Sequence, residues 1–270
     1  MTGHDDVTVV IPCFNHGDYL LDAVASVLSQ EGESPHLIVV DDGSTEPKTE
    51  TVLEALPEGV ELIRQANAGP AAARNAGFER AETPYVLPLD ADDRLPAEAL
   101  AAMHTALESD SRAAYAYGVM RFFGDWSGEV RFPGYDPYRL LYRPIVGWLG
   151  LVRRAAWEDA DGFDPELRGF EDWDFTLCAI EQGRHGHRLD RVVLDYRKHG
   201  RSGLEEDRRR YRELYRRLRE KHAGLYARGR ALAAASDLGP LGRLVYRTWW
   251  AWRPLPAGYE RALYKLLFRR

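Results

Sequence analysis

Three short apolar runs in the first third of the chain, at 7–11, 37–40 and 86–89, break off at their carboxyl ends into polar residues. Runs of this length, rich in valine and isoleucine, read as buried strands. Between them the period changes: Leu20, Leu21, Val24, Val27 and Leu28 recur at the spacing of one helix face across 18–30. A short helix over 51–56, a strand over 60–63, an alanine-rich helix over 71–81 and a helix over 96–108 continue the alternation. Strands alternating with helices predict an α/β protein with a parallel, doubly wound sheet. Ligands of such sheets bind outside the carboxyl ends of the strands. Three polar exits converge on that edge: Pro12-Cys13-Phe14-Asn15, Asp41-Asp42-Gly43-Ser44 and Asp90-Ala91-Asp92-Asp93. Pro12 is expected to end the first strand, since it has no N–H for the ladder.

The third exit carries the most chemistry. Three carboxylates within four residues repel one another and favour a compensating cation. A hard divalent ion takes one or two carboxylates and keeps positions for phosphate oxygens. The stretch therefore predicts a metal–diphosphate site. Taken alone it reads equally well as a solvated acidic turn; the convergence of three loops favours the site.

Bulk properties exclude some classes. A formal charge of -6 gives no case for nucleic acid as a partner. Two cysteines, Cys13 and Cys178, are too few for a disulfide framework, which fits a reducing compartment. The polar residues 1–6 do not read as a signal peptide, and no run approaches the roughly 18 apolar residues of a membrane span, so a cytoplasmic location is expected. The charge is uneven. From residue 239 onward Arg243, Arg247, Arg253, Arg261, Lys265, Arg269 and Arg270 face only Glu260, a sum of +6 that leaves -12 before it.

The ordered motifs carry a resemblance. Val9-Val10-Ile11-Pro12-Cys13-Phe14-Asn15, Val39-Val40-Asp41-Asp42-Gly43-Ser44, Asn67-Ala68-Gly69-Pro70 with Ala73-Arg74-Asn75, and Leu89-Asp90-Ala91-Asp92-Asp93 resemble family 2 glycosyltransferases of the GT-A fold, in that family's order and spacing, over roughly 7–200. The resemblance implies a Rossmann-like, mostly parallel central sheet flanked by helices, and inverting transfer from a nucleotide-diphospho-sugar with Mn²⁺ or Mg²⁺. Uridine diphosphate is the default donor nucleotide. By position, Pro12 and Phe14 would line a nucleobase pocket together with Asn15 of the same loop. Asp42 would accept a hydrogen bond from the base, and Arg74 would lie near the nucleotide. Asp90 and Asp92 would be the metal and ribose carboxylates, with Asp92 the direct ligand. No glycine-rich phosphate loop is present, so a metal would neutralise the leaving diphosphate.

The second half supplies the other chemistry. Residues 111–150 are rich in aromatics, which read mainly as filling for a second layer; Trp126 and Trp148 are the candidates for a sugar platform. A strand is expected over 115–120 and another over 150–154. Glu171-Asp172-Trp173-Asp174 opens a helix that runs to about 182. A carboxylate pair there often serves only capping and the helix dipole. The resembled family places its catalytic base in such a Glu-Asp motif. Asp172 is assigned that role, with Glu171 as a neighbour binding the acceptor or as the base itself, and Trp173 packing against the sugar. The strand from 192 runs into Arg197-Lys198-His199-Gly200-Arg201, similar to the family's Tyr-Arg-x-His segment. His199 is then a third metal ligand, and Arg197, Lys198 and Arg201 lie near the diphosphate. His185 and His187 read as a turn without a role.

The chain is expected to divide into a glycosyltransferase domain over 1–203, with its nucleotide-sugar half at 1–110, and a helical extension over 204–270. Residues 205–225 place Tyr211, Leu214, Tyr215, Leu218, His222 and Leu225 on one helix face. The basic, Trp-rich tail over 240–270 suits an anionic membrane surface, and equally a helical appendage that packs on the core or on a second copy of the chain. The sequence thus reads as a metal-dependent inverting glycosyltransferase acting on a saccharide, lipid-linked or small-molecule acceptor. Two rivals are a sugar nucleotidyltransferase, which would want a glycine-rich basic first loop, and a non-catalytic binding module, which would be expected to lose Asp92 or Asp172.

Overall fold

Eight strands form one mixed sheet in a computed structural model that describes residues 6–31, 35–146, 148–199 and 204–251. In chain order the elements are β1 (Val7–Cys13), α1 (Leu20–Leu28), β2 (His36–Asp41), α2 (Pro47–Glu54), β3 (Val60–Arg64), α3 (Pro70–Arg80), β4 (Tyr85–Pro88) and α4 (Ala99–Glu108). There follow β5 (Ala113–Gly124), β6 (Gly128–Val130), α5 (Pro137–Leu140), β7 (Val152–Arg153), α6 (Arg154–Asp159), a 3₁₀ turn (Pro165–Leu167), α7 (Glu171–Glu181) and β8 (His185–Lys198). The chain then becomes helical: α8 (Leu204–Lys221), α9 (Ala223–Ala227), α10 (Gly229–Ala235), α11 (Pro240–Val245) and a π turn (Tyr246–Trp250).

The strand order is β3-β2-β1-β4-β7-β5-β6, with β8 paired to β5. β3, β2, β1 and β4 are parallel, as the alternation predicts. β7 joins antiparallel to β4 and carries the sheet into its second half. Helices cover both faces, which is why the parallel strands read as unbroken apolar runs. Val7, Val9 and Ile11 pack with α1 residues Leu20, Val24 and Val27 in one layer. Val10, Ile38, Val40 and Val86 face the other, where Phe78 of α3 and Phe175 of α7 lie. A Cβ on Gly77 would fall 2.2 Å from Val10 Cγ1. Only glycine lets α3 lie this close to β1, and Arg74 sits one turn earlier on the same helix.

Two sequence expectations fail. β1 does not stop at Pro12 but pairs through it to Cys13. The Val10 carbonyl accepts from Leu89 N, so Pro12, two residues on, also turns its nitrogen toward β4, where that strand has already ended. No ladder bond is lost. His185, Gly186 and His187 are not a turn but the start of the 14-residue β8. Gly186 lies under the Tyr115 ring, where a Cβ would come within 2.4 Å of Cε2.

The helix expected over 205–225 runs to Lys221, and Tyr211, Leu214, Tyr215, Leu218, His222 and Leu225 are all buried. Tyr215 stacks on Trp173 with ring centres 5.6 Å apart, so α8 shares the core of the preceding layer. No helix among the described residues is long and apolar enough to cross a membrane. The tail beyond residue 251, and Arg201, lie outside the described residues.

Candidate active site

Arg74 is the centre of the carboxyl edge. Its side chain is buried, and it reaches acids from two distant segments. Nη2 donates to Asp90 Oδ1 at 2.8 Å; Nη1 donates to Glu171 Oε1 at 3.0 Å and to Asp172 Oδ1 at 3.4 Å. Asp90 lies where β4 leaves the sheet; Glu171 and Asp172 open α7. Burial works against the guanidinium charge, but Asp172, Asp90 and Glu171 together hold it firmly protonated. One cation thus faces three carboxylates, and the excess negative charge remains at the edge.

The two acids of α7 differ. Glu171 is buried and both its oxygens are engaged: Oε1 accepts from Arg74 and Oε2 from Gly169 N at 2.5 Å. Asp172 keeps 33% of its side chain exposed, and among the described residues it makes only the long contact to Arg74. Burial, Glu171 and Asp90 push its carboxyl up to about 6, against the pull of Arg74. It is therefore an accessible carboxylate that titrates close to neutrality, the range in which a general base works well.

Asp92 and His199 come together, with Asp92 Oδ2 2.8 Å from His199 Nε2. The His199 ring leans on Tyr19, centre to centre 4.5 Å. Both side chains are half-buried. Next to them Asp93 is fully buried. Its Oδ1 accepts from Arg197 N at 2.8 Å, while Oδ2 has no partner among the described residues. Burial, with Asp90 and Asp92 nearby, raises its carboxyl to about 9. Arg197 donates from Nε to Asp92 O and from Nη2 to Asp22, and so braces the acidic turn. Lys198 lies over the Tyr196 ring at 4.2 Å, and burial lowers its pKa. Arg94 and Asp195 exchange backbone hydrogen bonds, which ties the same turn to β8. Asp92 and His199 pair an oxygen with an imidazole donor, a combination that suits a divalent cation, while Asp90 Oδ1 is engaged by Arg74.

The donor-side loops are built differently. Asn15 has φ of 56°, and its Oδ1 accepts from Thr45 N at 2.8 Å and Glu46 N at 3.1 Å. It therefore latches the loop after β1 to the start of α2. Asp42 is buried, and Oδ1 accepts from Gln65 Nε2 and Ala68 N, Oδ2 from Gly69 N, each at 2.8 Å. It anchors the turn that opens α3. Phe14 is exposed between these loops, with Pro12 half-buried beside it.

Trp173 does not reach an open sugar face. It is buried, donates from Nε1 to Leu140 O at 2.6 Å, and is stacked by Tyr215 and packed at a tilt by Phe170. Trp148 is buried and donates to Pro88 O at 3.1 Å, so it packs behind β4; Trp126 remains exposed. Sequence reasoning gave no role to Asp93, Arg94, Tyr19 or Asp22. Only Asp93 left a signal, as the third acid of its turn.

The family model of "Glycosyl transferase family 2" matches residues 8–157, more than half of the chain. The chain belongs to glycosyl transferase family 2. It is 25% identical over 200 residues to the chondroitin synthase of Pasteurella multocida (strain Pm70), covering 72% of this chain and 21% of that protein. It is 29% identical over 199 residues to the succinoglycan biosynthesis protein ExoU of Rhizobium meliloti (strain 1021), covering 66% of this chain and 58% of that one. The chain thus spans about a fifth of the length of the chondroitin synthase. Among solved structures, residues 1–349 of S. aureus TarS in complex with UDP-GlcNAc superpose with a TM-score of 0.68 at 20% identity, over 98% of this chain and 76% of that one. The mannosyltransferase PcManGT from Pyrobaculum calidifontis, in complex with GDP-Man and Mn²⁺, gives 0.63 at 20% identity, over 98% and 88%. The fold is the GT-A fold.

Proposed function

We propose that the protein transfers a sugar from a nucleotide-diphospho-sugar, of the UDP-sugar class, to an acceptor hydroxyl with inversion, and that Asp172 is the general base. The observation that carries the reading is the contrast within α7: Glu171 is enclosed and doubly bonded, while Asp172 is accessible and titrates near 6. Inversion needs one carboxylate facing the acceptor, across the anomeric carbon from the leaving diphosphate. Asp172 takes the hydroxyl proton as the oxygen attacks that carbon. Arg74 holds Asp172 and Asp90 on one guanidinium, and so fixes the acceptor-side base against the donor-side acid.

Asp92, Asp90 and His199 would hold Mn²⁺ or Mg²⁺. When bound, the ion supplies positive charge to the diphosphate as it departs. Phe14 and Pro12 offer the base an apolar face, and the loops latched by Asn15 and Asp42 fix where that face sits. The UDP-GlcNAc in the TarS structure and the GDP-Man in the mannosyltransferase structure support a nucleotide-sugar donor. The acceptor class, saccharide, lipid-linked or small molecule, is set by the half of the chain after β4.

A second contact is proposed at the C-terminus, with an anionic membrane surface. Leu241 and Leu244, three residues apart on α11, are 66% and 48% exposed, beside Arg243 and Arg247. They lead into the cationic segment whose sum from residue 239 is +6. Flotation with anionic vesicles should carry the intact chain and lose a chain ending at 238. Equal flotation sinks the idea, and light scattering on the same two proteins reports a dimer through this face instead.

The enzymatic reading is tested by thermal shift with nucleoside diphosphates and nucleotide sugars, with Mn²⁺ and with chelator, followed by anomeric NMR of the product. A metal-dependent shift with one base and an inverted product is expected. No shift with any nucleotide would return the protein to the binding-module class. An α-retained product would overturn the assignment of Asp172.

A further inference from the structure

The helix that carries Asp172 in its first turn is gripped a second time, from outside. Asp174 lies two residues further on, with its side chain only 1% exposed. Its Oδ1 faces His222 Nε2 at 2.8 Å and its Oδ2 accepts from Lys221 Nζ at 2.9 Å. The other ring nitrogen, Nδ1, faces Glu181 Oε2 at 3.0 Å. Lys221 also reaches Asp164 Oδ2 at 2.8 Å, at the residue that caps the 3₁₀ turn before α7. His222 therefore spans two turns of one α7 face, from Asp174 to Glu181.

This geometry fixes the ring's charge. An ionised carboxylate only accepts hydrogen bonds. A histidine with a carboxylate on each nitrogen must donate from both, so His222 is an imidazolium. The charged groups facing it are Asp174 and Glu181 from α7, Asp164 from the turn before it and Lys221 from α8. The Cys178 thiol, also close, is held neutral because burial pushes it up to about 12. Asp174, Cys178 and His222 bring ligand atoms within 4.8 Å of one another, a spacing that also suits a metal. Here the ammonium of Lys221 already neutralises Asp174, and none of the five charged side chains leaves a buried polar atom without a partner. The cluster is complete as an ion network.

We propose that Asp174, Lys221 and His222 form a charged clamp through which α8 and α9 set the position of the first turn of α7, making His222 and Asp174 positioning residues for Asp172. The inference rests on the reading of Asp172 as the base. α7 is then fixed at its first turn between two devices, Arg74 from the sheet side and the clamp from the C-terminal helices.

The clamp depends on pH in a defined direction. Burial opposes the imidazolium, but Asp174 and Glu181 outweigh it and raise the His222 pKa. A raised folded-state pKa means that the clamp contributes fully below the ordinary histidine range, about 6.5. It weakens as pH rises through the raised value. Turnover should rise through the Asp172 titration and fall again on the alkaline side as His222 loses its proton.

The test compares wild type with His222→Gln across pH, reading kcat, donor KM and amide exchange at residues 171–175. His222→Gln should lower kcat by about tenfold at neutral pH, since small misplacements of a reacting group are costly. Donor KM should stay within about twofold, the pattern of a transition-state effect. The alkaline fall should disappear, and exchange at 171–175 should quicken while β1 amides stay protected. A folded His222→Gln with wild-type kcat, alkaline limb and exchange overturns the clamp. Should His222→Gln fail to fold, Glu181→Gln, at the open end of the network, should shift the alkaline limb to lower pH; an unmoved limb overturns the proposal. The exchange readout does not depend on the role of Asp172. Turnover by Asp172→Asn would sink the base and leave the clamp to stand or fall on exchange.

Discussion

The loops after β1 and β2 and the turn after β4 meet at one edge of the sheet, yet they treat their polar groups in opposite ways. Asn15 and Asp42 spend their acceptor oxygens on neighbouring loops, on four backbone N–H groups and the Gln65 side-chain amide. Asp90, Asp92, Asp93 and Asp172 crowd carboxyl groups together, with one oxygen of Asp93 left without a partner among the described residues, Asp93 raised to about 9 and Asp172 pushed up to about 6. The first arrangement is how a chain makes loops rigid. The second costs stability and is kept where charge must be handled. Acids in both places look alike in sequence, but only the second kind should carry chemistry.

Substitutions can break that contrast. Asp172→Asn, nearly isosteric, should lower kcat by about 10²–10⁴-fold, the usual worth of a general base. Donor binding by thermal shift should be almost unchanged; equal turnover would remove Asp172 from the mechanism. Asp92→Ala should weaken the metal-dependent part of donor binding on the order of 10–100-fold, read by titration with and without chelator. An unaltered metal response would move the ion site elsewhere. In wild type, turnover should rise with pH through about 6, because Asp172 must lose its proton to act. Arg74 pulls that carboxyl down, so Arg74→Gln should displace the acid limb to higher pH; a limb that stays put would assign it to another group. Asn15→Ala should do least to kinetics. It removes the acceptor of two backbone N–H groups, a loss of roughly 1–2 kcal/mol, visible as a lower Tm with kcat nearly intact. A collapse of kcat in Asn15→Ala would mean that the latch is part of the chemistry.

The parallel half of the fold was legible because β1, β2 and β4 are buried on both faces and announce themselves as apolar runs. The buried face of α8 was legible for the related reason that Tyr211, Leu214, Tyr215 and Leu218 repeat with the helix. The failures share a cause: each depends on a partner far along the chain. Gly186 looks like a turn until Tyr115 covers it. Trp173 looks like a sugar platform until Tyr215 stacks on it, 42 residues later. Arg74 reads as one residue of a nucleotide motif, and nothing nearby says that it meets Glu171 across 97 residues. The ordered motifs located the candidate site. Which acids are enclosed and which are open was decided by packing that no local pattern encodes.

β8 has a further consequence. It is long, and on the side away from β5 its backbone is met, among the described residues, by an isolated bridge from Asp195 to Arg94 and by the Asp93 carboxyl at Arg197 N. A straight strand of that kind is a template on which other chains can add. β8 is not straight: its pairing with β5 slips register three times between Ala113 and Met120. Arg188, Asp190 and Arg191 decorate the same stretch, with Asp190 held by Arg131 and Arg191 by Glu98. The bulges and charges deny a neighbouring molecule a regular ladder. The irregularity that lets one long strand run from His185 to the acidic turn also removes the regular open edge on which edge-to-edge aggregation would build.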